Sequence, residues 1–180
     1  MDKAGRNGRP VVRMAGTHSL KEIVRFDLER AQRLVRKVHP DPIDPQFRIA
    51  TSEGDCWIAI MLTEKPKERQ RRLQLVSDFM VWKLSPGFVM ASELHEPDAI
   101  LSIGLMRDAY WALISVIDRK PLSFGTPKSV LRENMDPEVF KLQPRGSRTI
   151  TSARMKELEL WFGVRGKFPA VKIATGEMGL

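Results

Sequence analysis

The sequence predicts an α+β fold: one domain in which a four- to five-stranded antiparallel or mixed sheet is packed by three longer helices. Three observations carry this. The chain has 180 residues, 42% hydrophobic and 29% charged, enough to bury a sizeable core without cross-links. Helix-period segments recur around residues 19–38, 66–84 and 106–118. Between them lie apolar runs of strand length, around 46–62, 88–94 and 99–104, and no internal repeat is visible.

Residues 1–16 are polar and Gly-containing, carry Lys3, Arg6, Arg9 and Arg13, and have no periodicity; they read as a flexible basic arm ahead of a domain spanning 17–180. The first helix follows. Ser19 and Glu22 have capping-box spacing, in which each side chain satisfies a backbone N–H of the other. Leu20, Ile23, Val24, Leu28, Ala31, Leu34, Val35 and Val38 fall on one arc. Lys21, Arg25, Arg30, Arg33, Arg36 and Lys37 fall opposite. Asp27 lies inside the apolar arc, where a carboxylate requires a partner. His39-Pro40 ends the helix.

Residues 46–62 read as a hairpin turning at Ser52-Glu53-Gly54-Asp55, with the apolar second strand central in the sheet. Pro66 opens a second helix, whose core stripe is Leu73, Val76, Phe79, Met80 and Leu84. Phe88–Leu94 and Ala99–Gly104 read as strands joined by an acidic loop. Met106, Ala109, Tyr110, Leu113, Ile114 and Ile117 recur at helical spacing and predict a third helix; a hairpin turning at 106–109 is the competing assignment. Residues 121–150 are irregular apart from a short helix opened by Asp136-Pro137. Thr151 or Ser152 caps a last helix ending at Phe162-Gly163, and Phe168–Ile173 reads as a final strand.

Composition narrows function. The single cysteine, Cys56, excludes an intramolecular disulfide framework and a cysteine-rich zinc site, and reads as a core thiol. The N-terminal segment lacks the apolar core of a secretory signal, and no apolar run approaches the ~20 residues of a membrane span. The expectation is a cytoplasmic protein with no membrane partner, although the basic start also suits a transit-like tail. The net charge is +8, concentrated in residues 1–38 and 63–83 with acidic stretches between. Such asymmetry suits a polyanionic partner as well as plain solubility.

Four constellations stand out. Arg25, Arg33 and Arg36 of the first helix and Arg69, Arg71 and Arg72 of the second would form one phosphate-binding patch if the two helices adjoin. Against this, Glu22 with Arg25 and Glu29 with Arg33 have the spacing of solvated ion pairs. Leu75 and Trp82, off the main stripe of the second helix, suit a protein interface or a sandwiched helix. Glu93, His95 and Asp98 in the acidic loop have the donor types for a divalent metal. The Gly163–Pro169 segment, with Arg165 and Lys167, has the composition of a phosphate-cradling turn or of a simple connection.

Pro97-Asp98, followed by Asp118-Arg119-Lys120, resembles the PD-(D/E)xK nuclease signature. The resemblance implies that Asp98 and Asp118 hold Mg²⁺ and that Lys120 orients the attacking water, with Asp27 as an extra acidic ligand. It requires Asp118 and Lys120 on a strand, whereas the periodicity of 106–118 is helical. The sequence thus ranks a basic accessory or regulatory protein associated with nucleic acid first. A protein-interaction adaptor or homo-oligomer comes second, and a Mg-dependent nuclease third.

Overall fold

The structure, a computed structural model, describes residues 17–50, 56–60, 66–143, 148–163 and 172–173. The basic arm 1–16, the turn 52–55 and most of the Gly-containing segment 163–169 lie outside them. In chain order the elements are β1 (Thr17–His18), α1 (Leu20–Val38), β2 (Gln46–Ala50), β3 (Cys56–Ile60), α2 (Pro66–Trp82), β4 (Gly87–His95), β5 (Asp98–Met106) and β6 (Tyr110–Arg119). They continue as β7 (Leu122–Phe124), β8 (Lys128–Ser129), α3 (Pro137–Lys141), α4 (Ser152–Gly163) and β9 (Lys172–Ile173). The fold is α+β. Its main sheet is antiparallel and has seven strands, β3-β2-β4-β5-β6-β7 with β8 also paired to β6; β1 and β9 form a separate parallel pair. Among the described residues no helix is long and apolar enough to cross a membrane.

The sheet separates two cores, and strand alternation decides which side chain enters which. Phe47, Ile49, Phe88, Met90, Leu101, Ile103, Leu105 and Ala112 face α2 and α4, joining Leu75, Val76, Phe79, Met80, Leu158 and Phe162. Phe79 stacks on Phe162 with ring centroids 4.1 Å apart, which fixes α4 against α2. Ala50, Val89, Ala91, Ile100, Leu113 and Ile117 face the other way, against Ile23, Val24, Leu28, Ala31 and Val35 of α1.

Helix α1 forms as its sequence dictates. The Glu22 backbone N–H donates to Ser19 Oγ, and the Ser19 backbone N–H donates to the Glu22 carboxylate at 2.7 Å. The helix lies tightly on β5 because residue 104 has no side chain: a Cβ there would stand 2.6 Å from Leu20 Cδ1 and 2.7 Å from Val24 Cγ2. Asp27 has the partner its position demands. Arg48 of β2 donates to both carboxylate oxygens, 2.9 Å each, and Arg30 Nε donates at 3.1 Å. Asp27 and Arg48 are 1% and 2% exposed, so this pair is out of water. Arg30, placed on the solvent face by the periodicity, turns inward instead and also bonds Gln46.

The third expected helix is a strand. Residues 110–119 form β6, paired to β5 from Leu105↔Tyr110 to Ala99↔Val116, and residues 107–109 lie in the hairpin turn. The central part of the strand is covered on both faces, so its apolar residues do not alternate with polar ones. Their spacing then coincides with a helical period. The discriminating signal was side-chain type: Tyr110, Trp111, Ile114, Val116 and Ile117 are aromatic or β-branched. This strand, with β7 and β8 in the stretch read as irregular, raises the strand count beyond the expected four to five.

Removing one member of the Asp27–Arg48 pair leaves an uncompensated charge in the interior. Asp27→Ala is expected to lower unfolding free energy by about 3–5 kcal/mol, and the Asp27→Leu/Arg48→Met double variant to recover most of that. Urea denaturation of the three proteins measures it; a single-variant loss below about 1 kcal/mol would remove the pair from any structural role.

Candidate polyanion-binding face

The acidic loop and the end of β6 meet at one end of the sheet, on the side of α1. Arg119 Nε donates to Asp98 at 2.6 Å and its Nη2 donates to Asp98 at 2.8 Å. The same Nη2 contacts Glu93, whose other oxygen accepts the Ile43 backbone N–H at 2.9 Å. His39 Nδ1 lies 3.5 Å from Arg119 Nη1. The Arg119 hydrogen bonds hold the Asp98 carboxyl below its ordinary range, and the Asp98 and Glu93 carboxylates push the guanidinium above its own. The position offered to a metal by Glu93 and Asp98 is thus taken by a guanidinium. Among the described residues no group of three His, Cys, Asp or Glu side chains is placed to hold a metal ion.

The nuclease constellation does not assemble. Residue 118 is on a strand, as that signature requires, but its neighbour Arg119 shares a face with Asp98, so Asp118 points to the opposite side of the sheet. Asp118 is exposed and accepts the Lys120 backbone N–H at 3.0 Å in the turn to β7. Asp27, the candidate extra ligand, is committed to Arg48 and Arg30. Arg119, the residue between the two expected catalytic positions, is the cation that gathers the carboxylates of this end. Its signal was the number of carboxylates that had no other cation nearby in sequence.

The expected interface on α2 is also corrected. Leu75 is 2% exposed and belongs to the core, and Trp82 is half-buried, edge-on to Phe79 with centroids 5.8 Å apart. Helix α2 is sandwiched between the sheet and α4, which accounts for its apolar residues on two sides.

The six arginines do not form one patch, because α1 and α2 lie on opposite faces of the sheet. On α2, Arg72 is buried, donates to Glu68 at 3.1 Å and lies 5.6 Å from the Trp161 ring centroid. Arg71 lies between Glu68 and Glu157 at 3.9 and 3.8 Å. Arg72 is thus part of the packing, Arg71 is an exposed cation between two carboxylates, and Arg69 is exposed with no ion pair among the described residues.

On α1 the outcome is the reverse. Arg25, Arg33 and Arg36 are all exposed, and none has an acidic partner among the described residues. The expected Glu–Arg pairs do not form. Glu22 is held by the cap, where the Ser19 backbone N–H lowers its carboxyl below the ordinary value. Arg36 lies 5.0 Å over Phe124 and Lys21 lies 4.4 Å over Trp111, which steadies cations toward both ends of the row. At 1.5 Å rise per residue the row from Arg25 to Arg36 is about 16 Å long. It offers planar donors suited to phosphate oxygens.

Comparison of this chain with protein-family models, with curated proteins and with solved structures finds no match.

Asp98 gives a pH prediction. Its folded pKa is depressed, so its contribution is fully present above the unfolded value of about 3.9 and is lost as pH falls through the folded value. The pair is partly exposed, which limits its worth to about 1 kcal/mol or less. Asp98→Asn is therefore expected to melt slightly below wild type at pH 7, with the two melting curves converging below about pH 4. A gap that persists unchanged at pH 2 would assign the loss to something other than this charge pair.

Proposed function

We propose that this protein binds nucleic acid through the outer face of α1, by phosphate contacts that do not read sequence. The observation that carries the reading is the solvent-facing, unpaired state of Arg25, Arg33 and Arg36. Arg48 and Arg30 are drawn to Asp27, Arg119 to Asp98 and Glu93, and Arg154 to Asp78, whereas Arg69, Arg107 and Arg132 are exposed and, like the α1 three, have no carboxylate partner among the described residues. What sets the α1 three apart is that they share one helix face, as a row available to an external anion. The segment 1–16, which leads into this helix, adds Lys3, Arg6, Arg9 and Arg13 to the same end of the chain.

Chemistry favours the backbone as the target. Trp111 and Phe124, the aromatic rings beside the row, have Lys21 and Arg36 over them, so neither is a bare platform for stacking bases. Guanidinium contacts to phosphate displace condensed counterions, so the affinity depends steeply on salt. Such binding suits an accessory or regulatory role in which position along the nucleic acid is set by something other than this face.

The test is a gel-shift titration of the full chain on duplex DNA at 50 and 200 mM salt. Three phosphate contacts from α1 alone correspond to an affinity loss of about 40-fold over that interval. Arg25→Ala/Arg33→Ala/Arg36→Ala is expected to flatten the log–log salt slope by about 2.7 while Arg69→Ala leaves it unchanged. Absence of a shift at 50 mM salt, or a triple variant that binds like wild type, would overturn the reading.

A further inference from the structure

The opposite face of the sheet carries a feature that nucleic-acid binding leaves unexplained. A cleft of about 280 Å³ opens between α2, the strands β2 and β4, and α3. Its floor is the core itself: Phe47 is fully buried and Met90 8% exposed, with Leu73, Val139 and Leu142 around them. The cleft is partly open to solvent, and one side of it is bounded by a helix of only five residues, α3.

Polar groups gather at the same cleft without protein partners. Arg69 is exposed and unpaired, and the Ser92 hydroxyl and Gln70 amide make no hydrogen bond among the described residues. Ser92 is only 6% exposed, so its free hydroxyl is held at the cleft wall and not in open solvent. Asp136 and Lys141 also line the cleft but are already engaged. Arg69 therefore supplies the one uncommitted charge among the described lining residues, and it is positive. Its position in the first turns of α2, where the helix dipole disfavours a cation, is relieved when an anion sits beside it.

We infer that this cleft binds a small organic acid: an apolar body lies on Met90, Leu73 and Val139, and its carboxylate pairs with Arg69 and accepts from Ser92 or Gln70. The volume is just below the ~300 Å³ at which sites for drug-sized ligands begin, which sets the occupant at a short acyl or aryl acid. The bidentate donor geometry of a guanidinium matches a carboxylate. The site lies on the far side of the sheet from the α1 row, so it stands or falls independently of nucleic-acid binding.

The experiment uses the isotopically labelled full chain and follows backbone amide shifts during titration with sodium octanoate, octanol and acetate. Octanoate is expected to shift the amides of Gln70, Leu73, Ser92 and Val139, to bind at least 10-fold more tightly than octanol, and to leave the α1 amides unmoved. Acetate, which lacks the apolar body, is expected to produce no saturating shift. Arg69→Gln, at an exposed position that leaves the core intact, is expected to bring octanoate down to the affinity of octanol without changing octanol. Equal affinities of octanoate and octanol for the wild type, an Arg69→Gln protein that still prefers the acid, or no saturable shift at these amides would each overturn the inference. The gel-shift behaviour of Arg69→Gln, expected to match wild type, keeps this outcome separate from the nucleic-acid reading.

Discussion

The buried ion pair between Asp27 and Arg48 is the contact on which the arrangement of this protein turns. Taking two charges out of water costs several kcal/mol per ion, and an apolar pair of the same volume would stabilise the fold nearly as well. What the charges add is direction. Hydrophobic contact alone tolerates rotation of a helix over a sheet, whereas a guanidinium that donates to both oxygens of one carboxylate accepts a narrow range of orientations. At 100° per residue, Arg25, Arg33 and Arg36 lie about 160°, 120° and 180° around the helix axis from Asp27. Pinning Asp27 inward therefore turns these three arginines outward. The interior pair and the exterior row are two consequences of one helical phase, and the close approach at Gly104 fixes the distance at which that phase is held.

The same residue type serves opposite ends in this chain, and its surroundings decide which. Arg48 is buried between carboxylate and the Phe26 ring, Arg72 between Glu68 and Trp161, and Arg119 closes the end of the sheet by gathering Asp98 and Glu93. Asp78 collects Arg148 and Arg154 where α2 meets α4. These contacts draw in Asp27, Glu68, Asp78, Glu93 and Asp98. Arg25, Arg33 and Arg36 of α1 take part in none of them and share one helix face.

Local features were legible in the sequence because local interactions create them. The Ser19–Glu22 cap, the apolar arc of α1 and the need of Asp27 for a partner are all set within one or two turns, and the structure has each of them. The β2–β3 pairing was legible for the same reason, its strands being close in sequence, but β3 lies at the edge of the sheet and not at its centre, where its continuous apolar run had placed it. What the sequence did not carry is the side of the sheet on which each helix lies. Arg25 and Arg69 look equivalent in one dimension, and a seven-stranded sheet stands between their helices. The error over residues 106–118 has a related cause. A strand buried on both faces loses the alternation that marks a strand, because its pattern answers to two cores at once. The false helix then hid the fact that Asp98 and Arg119 are on adjacent antiparallel strands, where they meet across the pair.

The central strand β4 bears on whether the two faces of this protein can act on each other. Val89, Ala91 and Glu93 look toward α1, while Met90 and Ser92 look toward the cleft, so the two regions share a backbone at alternate residues. A shared strand is not yet a coupling: a signal requires that strand to have two positions. Here β4 is bonded to β2 on one side and along its full nine residues to β5 on the other, and Glu93 is tied at its end to Arg119 and to the Ile43 backbone. Moving it would break two ladders and the charge cluster together. The sheet therefore acts as a partition. A guest beside Met90 would displace the short α3, which no sheet ladder holds, before it displaced β4, and the α1 row would keep its spacing.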